Sequence, residues 1–221
     1  MVRNNFRQAR NESGFTIMDA LIVVAIIGVL SAIAIPKMVS QRRLFRTSAV
    51  SRELGAQMRY ARQRAMSSRQ AYTFQYDQTN NLIRIIGPIP SGPAAIADLS
   101  YPNNSGSSVV LSIPITGGLP SSELSEGIPT TSTGLPAGAP TIPTGALGDG
   151  VSRTTLTSGR LNITFQPDGS VIDSTGAPAN KGLFFFNNKA AQQTAQAITV
   201  IGASGRIKVW RYTTNGNKYA E

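Results

Sequence analysis

The chain has 221 residues, an ordinary hydrophobic content of 41% and a formal net charge of +10, from 21 Lys and Arg against 11 Asp and Glu. It contains no His and no Cys, which excludes His-ligated metal sites, His-based triads, thiolate chemistry and disulfides. The length suits one sizeable domain plus an extra element, and no cofactor or metal is expected.

Residues 1–14, "MVRNNFRQARNESG", carry Arg3, Arg7 and Arg10 against Glu12. Residues 15–35 form an apolar run in which Asp19 is the single charge. As a helix rising 1.5 Å per residue, the run would span about 31 Å, enough to cross a bilayer. Arginines ahead of it and a long chain behind predict a cytoplasmic N-terminus and an exported remainder. A secretory signal would place its small-residue cleavage site after a shorter apolar core. Here Gly14 precedes the run, so cleavage there leaves the helix on the mature chain. An acid inside a span costs about 2.5–3.5 kcal/mol on insertion scales, which makes Asp19 a functional candidate in need of a partner. Pro36 removes a backbone donor and either kinks the helix or ends the membrane segment.

The stretch "GFTIMDALIVVAIIGVLSAIAIP" resembles the class III signal of type IV pilins and type II secretion pseudopilins. The resemblance implies cleavage between Gly14 and Phe15 by a prepilin peptidase and N-methylation of Phe15. It also implies assembly through the 15–36 helix, with Asp19, where the family usually has Glu, facing the amine of a neighbouring subunit, and with Pro36 at a position often occupied by proline. The implied partners are other pilins or pseudopilins, an inner-membrane assembly platform and, before assembly, membrane lipid. The implied location is the bacterial inner membrane, single-pass, with the C-terminal domain in the periplasm and then in a filament.

Residues 37–70 continue as a basic amphipathic helix. Leu54, Met58, Ala61 and Ala65, with Val50 beside them, share one face, and Arg52 and Arg59 fall on the other. Residues 37–69 hold Lys37 and eight arginines against Glu53 alone. The stripe reads either as a solvated helix back or as a surface for an acidic partner or nucleic acid.

From residue 71 to 221 the period changes to two. "AYTFQYD" and "NLIRIIG" predict a hairpin. Residues 88–150, rich in Pro, Gly, Ser and Thr, predict a long, partly ordered surface insertion in which "SVVLSIPI" is the one strand. Strands resume in "RLNITFQPDGSVI", "GLFFFNN", "AQAITVIG" and "GRIKVWRYT". The expected class is α+β: a long N-terminal helix, transmembrane in its first half, packed on antiparallel sheet. Asp168 and Asp173 are adequately explained by turns, and nothing points to an enzyme.

"ITFQPDGSV", "GLFFFNN" and "AITVIGASGRIKVWR" resemble the closing strands of GspH/FimT-type pseudopilins. This implies a minor pilin or pseudopilin that supports filament initiation, protein secretion or DNA uptake. Some FimT proteins bind DNA through Gly-Arg-x-Arg; here the stretch is Gly205, Arg206, Ile207, Lys208, and Lys lacks the bidentate reach of Arg. Alternation predicts Ile207 and Val209 facing the core, with Arg206, Lys208, Trp210 and Tyr212 on the outer face. With Arg211, these four are the candidate DNA contacts; the alternative is an exposed strand whose charges only confer solubility and whose Trp210 packs under the 88–150 insertion.

Overall fold

A computed structural model describes residues 16–89, 108–115, 122–143 and 147–221. The chain divides into two units, Met1–Gln41 and Arg42–Glu221, and helix α1 (Ile17–Ser68) contributes to both.

In the first unit α1 is apolar and no described side chain between residues 17 and 41 is buried. Its start is closed by a reciprocal cap. The Thr16 amide donates to Asp19 Oδ2 (3.0 Å), and the Asp19 amide donates to Thr16 Oγ1 (3.2 Å). Two amide donors that the helix leaves open are thereby satisfied. The helix does not stop at Pro36.

In the second unit α1 lays its predicted face on sheet. Val50, Leu54, Met58, Ala61 and Ala65 are all at most 1% exposed, while Arg52 and Arg59 are exposed. Full burial of a Leu or Met side chain is worth about 1.5–3 kcal/mol, so this stripe is a principal tether of the helix. The helix ends where Arg69 takes a left-handed φ of 54° and turns the chain into β1.

Two antiparallel sheets follow. The first, in the order β3-β2-β1-β5, contains β1 (Ala71–Asp77), β2 (Leu82–Ile89), β3 (Ser108–Pro114) and β5 (Arg160–Phe165). The second, β4-β6-β7-β8-β9, contains β4 (Leu124–Glu126), β6 (Lys181–Asn187), β7 (Gln196–Ile201), β8 (Arg206–Thr213) and β9 (Lys218–Ala220). A short helix α2 (Ala191–Thr194) lies between β6 and β7. The expected hairpin is present, with Phe74 opposite Ile85.

One core joins α1 to both sheets through Phe74, Tyr76, Ile85, Ile163, Leu183, Phe185 and Ile198. A second core lies on the other face of the second sheet. There Phe184, Phe186, Ala197, Trp210, Tyr212 and Tyr219 meet Leu135, Ile142 and Leu147. The described part of 88–150 is therefore not confined to the surface: β4 pairs with β6, and Ile142 is fully buried. Its apolar residues are divided between the cores: Ile115 and Leu124 join the first, while Leu135, Ile142 and Leu147 cover the second.

Candidate functional site

Three surfaces bear on function. The first is the apolar start of α1, the one helix among the described residues long and apolar enough to cross a membrane. Asp19 is exposed at its first turn, and its carboxylate is held by the Thr16 amide and hydroxyl (3.0 and 2.8 Å). The Thr-x-x-Asp spacing of a capping box was the sequence signal for this second role of the acid. Gly14 and Phe15 lie outside the described residues, as does the Pro36 side chain.

The second surface is the outward side of α1 in the second unit. Arg42, Arg46, Arg52, Arg59 and Arg64 are exposed, and so is Arg69 just past the end of the helix. No ion pair or hydrogen bond engages their guanidinium groups among the described residues. Two other arginines of the helix are committed: Arg43 faces Glu123 at 3.6 Å, and Arg62 donates to the carbonyls of Gly169 (3.2 Å) and Ser204 (2.9 Å).

Arg62 brings together two loops that sequence spacing could not relate, "PDGS" and "ASGR". Gly205, at φ 61°, passes so close to Gly169 that a methyl group on it would overlap the Gly169 carbonyl oxygen. The glycine of the Gly-Arg pair is thus a packing requirement of the two turns.

The third surface is strand β8. Alternation is as predicted, and the second face is covered by the 88–150 segment, as the alternative for Trp210 expected. Ile207 and Val209 pack against the α1 core. Trp210 and Tyr212 are 5% and 3% exposed, which corrects the expectation of an open aromatic face. The Trp210 ring lies under Gly148, and its Nε1 donates to Thr199 Oγ1 (2.8 Å), whose hydroxyl in turn donates to Asp149. The Tyr212 hydroxyl donates to Asn217 (2.7 Å). Lys208 Nζ sits 4.9 Å from the Trp210 ring centroid and pairs with Glu221 at 3.1 Å. Arg206 and Arg211 remain exposed, and Arg211 donates to Ser48 (2.8 Å). Since side chains alternate, Arg211 leaves the strand on the α1 side and Arg206 on the other.

Elsewhere, a cleft of about 740 Å³ beside β5 is lined by Thr154, Thr157, Asn162, Thr164, Asp173 and Lys181, among others. Asp168 accepts from the Ser170 amide and hydroxyl, and Asp173 from those of Thr175. These hydrogen bonds hold both carboxyls below their usual range. Both therefore act as turn acceptors. No group of three or more potential metal-ligating side chains occurs among the described residues.

The chain is similar to the type IV minor pilin FimU of Pseudomonas aeruginosa in two crystal forms. In one the identity is 15% over 79% of this chain and 92% of that chain, with a TM-score of 0.42. In the other it is 15% over 79% and 97%, with a TM-score of 0.37. No family model matches the chain, and no curated protein matches it.

Proposed function

We propose that this chain is a pilin-like subunit, a minor pilin or pseudopilin, of an envelope filament: a type IV pilus or a type II secretion pseudopilus. It is cut after Gly14, methylated at Phe15, held in the inner membrane by the start of α1 and then drawn into the filament. The observation that carries this reading is the division of labour within α1. One face of its second part is buried by the chain's own sheets, while its first part is apolar and has no cover among the described residues of its own unit. A bare apolar helix needs lipid or another helix around it, and a subunit that leaves a membrane for a filament uses both in turn. The class III signal resemblance supplies the processing step.

The chain, produced in a bacterium with a prepilin peptidase, tests the reading. Membrane-bound protein beginning at methylated Phe15 is expected, with Gly14→Val accumulating as full-length precursor. Mature protein beginning elsewhere, or wild-type chain recovered wholly in the soluble fraction, would overturn it.

DNA capture through β8 is the weaker reading. With Trp210 and Tyr212 buried and Lys208 paired, it would rest on the charges of Arg206 and Arg211, on opposite sides of the strand.

A further inference from the structure

The outward face of α1 in the second unit presents more positive charge than the described acids of the chain answer. Arg42, Arg46, Arg52, Arg59 and Arg64 are exposed without an ionic partner among the described residues, as is Arg69 just past the end of the helix. Most acids of the second unit are already engaged. Asp77 holds Arg84 and Arg160, Glu123 faces Arg43, Glu126 holds Arg153, Glu221 holds Lys208, and Asp149 accepts from Thr199. Among the described residues Glu53, Asp168 and Asp173 remain, and the latter two are saturated by their own turns. A second copy seated on the stripe would bring the same shortage of free acids, and copies related by a two-fold axis would bring arginine toward arginine.

The stripe is not purely ionic. Phe45 is 71% exposed and Tyr60 39%, both on this side of the helix. Arg with aromatic side chains is the composition of protein-binding hot spots. We propose that this face of α1 docks an acidic surface of a different protein subunit and not a second copy of the chain. The inference rests on the filament-subunit reading and adds to it the chemistry of the neighbour. The chain is built to sit among unlike subunits, with like-charge repulsion discouraging a filament of its own.

The absence of native Cys allows a single thiol to report what covers the face. Full-length Ala56→Cys, placed between Arg52 and Arg59 at an exposed position, is labelled with a photoreactive maleimide in cells that make the whole assembly. Ile22→Cys in the apolar segment serves as the parallel probe. The expected product at Ala56→Cys is an adduct with a different protein whose cross-linked peptide carries Asp or Glu. Adding Arg52→Glu and Arg59→Glu should lower its yield by about tenfold or more. Exchanging the acids of that peptide for Lys should then restore it, which an unspecific capture would not do.

A self-adduct, a partner peptide without acids, a lipid or nucleic-acid adduct, or no adduct at Ala56→Cys would each overturn the inference. The subunit reading survives those results as long as Ile22→Cys still cross-links to another protein. It fails if neither position does.

Discussion

At the scale of the residue, two carboxylates show how the same group is stabilised by different means. Asp19 closes the start of α1 through Thr16, and the filament reading asks it also to face a neighbour's amine. The roles separate by substitution. Asp19→Ala removes both, Asp19→Asn keeps an acceptor for the Thr16 amide but no charge, and Asp19→Glu keeps the charge. If charge is what matters, filament incorporation should fall in Ala and Asn alike and persist in Glu, with membrane insertion intact in all three. Asn assembling like wild type would assign the residue to capping alone.

Asp77 is buried at the end of β1. Burial alone would push its carboxyl up, but hydrogen bonds from Asn80 and Arg84, with the nearby charge of Arg160, outweigh that and hold it below the ordinary value. A carboxyl depressed in the folded state stabilises the fold above its unfolded value, about 3.9. That contribution is lost as pH falls through the folded value. Asp77→Asn should therefore cost about 3 kcal/mol at neutral pH, since it removes the negative charge that faces two partly buried guanidinium groups. The gap between variant and wild type in thermal melts should close as pH falls below about 4. A gap independent of pH would mean that shape and not charge holds this corner.

At the scale of the element, the clamp of Arg62 on the two glycine turns makes a sharp demand. Gly205→Ala should be severely destabilising, because both its φ of 61° and the nearness of the Gly169 carbonyl oppose a Cβ. Arg62→Ala should cost about 1.5–3 kcal/mol for the lost charge-assisted bonds. Denaturant melts of the two variants check this, and near-wild-type stability of Gly205→Ala would refute the packing role.

The second core offers its own reporter, since Trp210 is the single tryptophan. Its emission should be that of a buried indole. Asp149→Ala, which releases the Thr199 hydroxyl and loosens the segment over the ring, should shift the emission to the red and raise acrylamide quenching. An unchanged spectrum would show that Leu147 and Ile142 hold the segment without the polar link.

At the scale of the whole molecule, both hydrophobic cores lie in Arg42–Glu221. A chain beginning at residue 42 should therefore fold, remain soluble without detergent and keep the Trp210 emission, while the full chain needs detergent or lipid. Loss of cooperative unfolding in the shortened chain would show that residues before 42 contribute to the fold itself.

Much of this was legible in one dimension. The apolar run, the buried stripe of Val50, Leu54, Met58, Ala61 and Ala65, the β1–β2 hairpin and the alternation of β8 depend on neighbours a few residues apart, which is where hydropathy and periodicity operate. The consecutive Phe184, Phe185 and Phe186 even carried an unread sign of burial on both faces of a strand. What the tertiary structure alone decided is where distant segments land. Alternation says that Trp210 and Ile207 point to opposite sides of β8, but not that Ile142 and Leu147 cover the Trp210 side. Spacing likewise cannot tell that Arg62 meets Gly169 and Ser204 across more than a hundred residues. Burial and ion pairing are properties of the folded surface. A basic or aromatic residue becomes a site or a strut according to what long-range packing leaves uncovered.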